Sequence, residues 1–134
     1  MSTITSERYQ VAEAALRHVM DEYSASSAER AAYSAYALDG GEFTLQLVIA
    51  FSGYKPKVEA NIQIQFAPNG VPTNKADGKS VELWTVENIK IHDDHATANV
   101  QVYQSSEGME YYTVRLRHLN GKWVFESKTL DIVS

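Results

Sequence analysis

The sequence predicts an α+β domain in which a curved antiparallel sheet, ending in a meander of C-terminal strands, carries two helices on one face. Three observations carry that prediction. Apolar residues recur at helical spacing near the N-terminus, the period changes to two from Lys57 onward, and an Asn120-Gly121 pair marks a hairpin close to the C-terminal end.

From Ser6, the residues Tyr9, Ala12, Leu16, Val19, Met20 and Tyr23 fall on one side of a helix, with Glu7, Arg8, Glu13, Arg17, Asp21 and Glu22 on the other. Residues 7–24 are therefore an amphipathic helix, with Ser6 as N-cap and Glu7 at the positive end of the dipole. The segment 31–38 reads two ways. Ser26 with Glu29 spells a capping box before an alanine-rich run, yet Tyr33, Ala35 and Ala37 alternate with Ser34, Tyr36 and Leu38 toward an Asp39-Gly40-Gly41 turn. Phe43–Phe51 follows as a short, largely apolar helix that is expected to be mostly buried.

In the next segment Val58, Ala60, Ile62, Ile64 and Phe66 alternate with Glu59, Asn61, Gln63 and Gln65, as in a strand with one core face and one wet face. Residues 67–80 hold Pro68, Asn69, Gly70, Pro72, Asp77 and Gly78 and read as a long loop. Four strands remain. A two-residue turn at Asp93-Asp94 pairs Ile91 with Ala96, but continuing that register puts Glu87 against Val100 on the core face, so a bulge near 86–88 is required. A type I′ turn at Asn120-Gly121 pairs Leu116 with Phe125 and His118 with Trp123, and sends Arg115 and Arg117 outward, opposite Glu126 and Val124.

The length of 134 residues suits one domain spanning 1–134, and 44% hydrophobic residues suffice for one core. A net charge of −5 argues against a nucleic-acid partner, whose phosphates are met by clustered Lys and Arg. No run of 18 apolar residues and no apolar signal segment occurs, so neither a membrane partner nor secretion is expected. Zero cysteines exclude disulfides and thiolate chemistry and fit a cytoplasmic protein.

The stretch Ile91–Val100 (IHDDHATANV), with the later Tyr111–Phe125 (YYTVRLRHLNGKWVF), resembles the terminal strands of cystatin-like small domains of the nuclear-transport-factor-2-like kind. The resemblance covers about the last third of the chain. Tyr36–Glu42 (YALDGGE) with the 43–51 helix is similar to a group of uncharacterised bacterial proteins in which a strand precedes the Asp-Gly turn. That likeness implies a strand at 31–38. It transfers no catalytic residue, because the sequence matches no fixed motif of these groups.

The chemistry-bearing clusters are few. His92 and His95 flank Asp93-Asp94 and would stand side by side, but a hairpin tip supplies neither four fixed ligands nor a supporting shell, so a solvated turn is expected and no metal. His18 lies one helical turn from Glu22, a surface pair unless that flank lines a cleft. No nucleophile elbow, phosphate loop or zincin motif occurs, and no cofactor is expected. The outer sheet face carries Tyr103, Tyr111, Arg115, Arg117, Gln63 and Gln65, types suited to a contact surface. The leading expectation is a non-catalytic binding module that forms a homodimer through this face. The alternative is a small-molecule-binding or enzymatic cone with its pocket between helices and sheet, which requires polar groups converging on the inner face.

Overall fold

The computed structural model describes residues 6–24, 35–54, 57–105 and 108–133. Helix α1 (Glu7–Ser24) is followed by β1 (Ala35–Asp39), a 3-10 turn (Gly41–Phe43), α2 (Thr44–Ala50), β2 (Lys57–Ala60) and a second 3-10 turn (Asn61–Gln63). The chain continues through β3 (Ile64–Phe66), β4 (Pro72–Asn74), β5 (Glu82–His92), β6 (His95–Ser105), β7 (Gly108–Leu119) and β8 (Lys122–Val133). The architecture is α+β.

Helix α1 follows its pattern closely. The Ser6 hydroxyl accepts from the Tyr9 amide at 3.1 Å, and Tyr9, Val11, Ala12, Ala15, Leu16, Val19 and Met20 are buried against the sheet. Burying a side chain such as Leu16 is worth about 1.5–3 kcal/mol, so this stripe anchors the layer. In the same first turn of the helix, Arg8 donates from Nη1 to the Ile89 carbonyl at 2.9 Å.

The main sheet has six strands in the order β2-β1-β5-β6-β7-β8. It is mixed, not antiparallel throughout. β1 runs parallel to both β2 and β5, and the meander β5 to β8 is antiparallel. The cause is a pair of crossovers, α2 between β1 and β2 and the β3–β4 segment between β2 and β5, each of which returns the chain to the sheet in its original direction. The strand reading of 31–38 holds for Ala35–Leu38, and residues 31–34 lie outside the described residues.

The expected strand across 58–66 breaks at Ala60. β1 is five residues long, and its ladder with β2 runs out at Leu38 opposite Ala60. With no ladder partner beyond that point among the described residues, Asn61–Gln63 bond locally as a 3-10 turn, and Ile64–Phe66 pairs instead with Pro72–Asn74 inside the expected loop. This β3–β4 hairpin folds over the outer face of the sheet. Tyr36 and Leu38 therefore join the main core on the helical side of the sheet, while Ala35 and Ala37 pack with Val81, Ile64 and Leu83 on the other side.

The short helix is less buried than its composition suggests. Phe43, Leu47 and Phe51, at i, i+4 and i+8, face the core, whereas Leu45 and Ile49 are 69% and 73% exposed. Gly40 permits the inward approach, because a Cβ there would stand 2.6 Å from the Leu47 Cδ1.

Next to their turns the two hairpins form as read from the sequence, but the register that would pair Ile89 with Ala98 is lost to the first bulge. His92 faces His95 and Ile91 faces Ala96, and the register shifts between Glu87 and Lys90 around Asn88, whose φ is +55°. At the second turn, Asn120 and Gly121 have φ of +52° and +79°, and Leu116 faces Phe125. The pairing of Arg115 with Glu126 does not form. A second shift between Arg115 and Leu116 leaves Glu126 in a bulge and sets Arg115 opposite Ser127. No described helix is long and apolar enough to cross a membrane.

Candidate functional site

Strand alternation places Glu82 on the same inner face as Trp84 and Val86, both part of the core beneath α1. Glu82 is 0% exposed. The Trp84 indole Nε1 donates to its Oε1 at 3.1 Å, and the Gln104 amide donates to its Oε2 at 2.7 Å. Gln104 shares its face with Val100 and Val102 on β6, and its amide also donates to the Tyr23 hydroxyl in the last turn of α1. Aromatic rings wall the group. Tyr23 meets Trp84 edge-on at 5.4 Å, Tyr36 lies 5.6 Å from Trp84, and Tyr54 lies 6.2 Å from Tyr36 and 5.3 Å from Phe51. A buried carboxylate costs several kcal/mol in lost hydration, which such donors offset in part.

A second polar arm continues along the same face on β7 and β8. Val102 registers with Glu110, and Tyr112 shares the inner side with Val114 and Leu116. The Tyr112 hydroxyl donates to the Glu110 carboxylate, and burial followed by that carboxylate pushes the phenol pKa far above its usual value. Tyr112 is thus a fixed donor at neutral pH. Lys128, opposite Val114, pairs with Glu22 of α1 and lies 5.8 Å from the Tyr112 ring centre and 6.0 Å from that of Phe125. Its hydrogen bond holds the Glu22 carboxyl below the usual range. His18 stacks flat on Phe125 at 3.6 Å, with Nε2 3.4 Å from the Glu22 carboxylate but too poorly aligned to count as a hydrogen bond. The His18/Glu22 pair is thus the expected i,i+4 surface contact, with Glu22 exposed and the His18 ring half-buried against Phe125.

The expected contact residues do not form one free patch. Tyr103 donates its hydroxyl to the Gly70 carbonyl at 3.0 Å and meets the Phe66 ring at 6.2 Å, so the β3–β4 hairpin covers it. Tyr111 lies beside Glu87, and burial followed by that carboxylate raises its pKa. Arg115 donates to the Thr129 hydroxyl at 3.0 Å, and Arg117 is exposed opposite Val124. Gln65 is exposed on β3, and the Gln63 side chain lies outside the described residues. His95 sits 2.8 Å from Asp94 and His92 sits 3.7 Å from Asp93, and no cluster of three or more metal-binding groups occurs among the described residues.

Sequence reasoning missed Glu82, Gln104, Glu110, Tyr112 and Lys128, although strand parity marks the first four. Each stands two residues from a core position of its strand: Trp84, Val102, and Tyr112 with Val114. Polar residues in core parity are the signal. The Lys128 position was hidden by the Glu126 bulge. No known family model matches the chain, and no curated protein or solved structure is significantly similar to it.

Proposed function

We propose that this chain is a small-molecule-binding α+β cone whose ligand sits on the inner face, against the Glu82 and Tyr112 arms. A cystatin-like, nuclear-transport-factor-2-like identity and a cytoplasmic location belong to the same proposal. The observation that carries it is the wholly buried Glu82 carboxylate, held by Trp84 and Gln104 within an aromatic wall. A core that served stability alone would fill this position with an aliphatic side chain at lower cost. Polar groups converging within an apolar lining are what ligand sites use, and the gathering of Glu82, Gln104 and Tyr23 among aromatic rings supports the reading.

Native mass spectrometry of purified protein reads any retained ligand, and thermal shift against amines, carboxylates, phenols and sterols extends the search. A ligand at 100 times its Kd adds about 2.7 kcal/mol, a rise of several degrees. Wild type should respond to at least one class, and Glu82→Gln and Tyr112→Phe should lose the response while remaining folded. No retained mass and no shift across the panel would overturn the reading.

A further inference from the structure

The outer sheet face is ordered by charge along its strands. One cross-strand row near the Asp93-Asp94 turn is Lys90, Thr97, Arg115 and Ser127, and the next is His92, His95, Arg117 and Val124. Lys90, Arg115 and Arg117 are all exposed. Asp93 and Asp94 lie beyond these rows beside their histidines, and Glu126, in the β8 bulge, lines a shared hollow with Lys90, Thr97 and Arg115, leaving the three cations in excess over it within these rows. Moving toward the middle of the face, the charge changes sign. Glu87 stands one row from Lys90, and Asp131 accepts from the Thr113 hydroxyl, both carboxylates being exposed. Beyond them the β3–β4 hairpin rises as a step, with Phe66 56% exposed and Gln65 exposed upon it.

We propose that this face docks a second copy of the chain in antiparallel orientation about a two-fold axis. Stacking like ends would set Arg115 and Arg117 against their own copies and is repulsive. The antiparallel arrangement lays Lys90, Arg115 and Arg117 of each protomer over Glu87 and Asp131 of the other, and brings each hairpin tip beside the partner's Phe66 step. An isologous contact makes every such pair twice. Charge order therefore sets the register of the dimer and rejects the alternative stacking, which is the main work of interfacial charge. The contact is independent of the inner-face site, since it uses the opposite side of the sheet.

The test is a charge swap read by sedimentation equilibrium. Wild type at roughly 100 μM, a concentration at which a weak interface of small area still associates, should approach twice the 15.0 kDa chain mass. Arg115→Glu with Arg117→Glu should be monomeric, because each acidic end then meets its like. Glu87→Lys with Asp131→Lys should be monomeric for the same reason. An equimolar mixture of the two variants should regain the doubled mass, since both contact sets are again complementary. Unchanged melting of each variant separates loss of contact from loss of fold. A monomeric wild type, variants that dimerise alone, or a mixture that stays at 15.0 kDa would each overturn the proposal.

Discussion

Three tyrosine hydroxyls, those of Tyr9, Tyr111 and Tyr112, are held protonated beyond the ordinary phenol range. Burial is the largest cause for each, followed by Glu13, Glu87 and Glu110 respectively. Tyr9 is pushed up to about 12 from the usual 10.0. Between those values the unfolded chain has lost a proton that the folded chain retains, so stability falls as pH rises. The contribution is complete below pH 10.0 and is lost progressively through about 12. The melting temperature should therefore drop across that interval, and Tyr9→Phe and Tyr112→Phe should each make the drop shallower. Equal slopes in wild type and both variants would show that these hydroxyls titrate normally in the folded state. Glu22 has the opposite sign: the Lys128 contact lowers its pKa, so its contribution is present above the ordinary carboxylate range and is lost on acidification below it.

At the scale of elements, the β7–β8 hairpin is fixed by its turn. Gly121 has φ of +79° and open space where a Cβ would point, so the cost of Gly121→Val is conformational and not steric contact. That substitution should lower stability by about 1–3 kcal/mol in urea melts, whereas Gly121→Asn should be nearly neutral. Equal losses in the two would remove the left-handed turn as the cause. Hairpin register was legible because it brings apolar residues into opposition, and the conflict of Glu87 with Val100 revealed the bulge at Asn88. The Glu126 bulge gave no such sign. Glu126 and Ser127 are both polar, so slipping one past the other leaves the outward pattern intact while moving Arg115 to a new partner. The break at Ala60 was equally hidden, because residues 58–66 alternate well and the limit is set by the length of β1, a distant strand. Composition misread α2 for a related reason: apolar residues on both sides suggest burial, but one side alone has something to pack against.

For the whole molecule, the consequence of the parallel β1 is a centre displaced from the meander. β1 has partners on both edges, β2 and β5, and is covered on both faces, on the helical side through Tyr36 and Leu38, which join the main core, and by the β3–β4 hairpin through Ala35 and Ala37. β8 is longer, at 12 residues against five, but it is an edge strand and is interrupted by two bulges. Length and protection should thus diverge. An amide exchanges by local opening when few contacts must be lost, and at the global unfolding rate when edges and faces are all engaged. Hydrogen exchange followed by mass spectrometry should find the amides of Ala35–Asp39 among the slowest, together with the paired start of β5, and those of β8 distinctly faster. Glu82 pairs with Tyr36 at the start of β5, so the same experiment should find the backbone that carries this carboxylate among the slow amides. β1 amides that exchange as fast as those of β8 would show that the β3–β4 hairpin lifts freely from the outer face, leaving β1 covered on one side and the Glu82 wall without its backing.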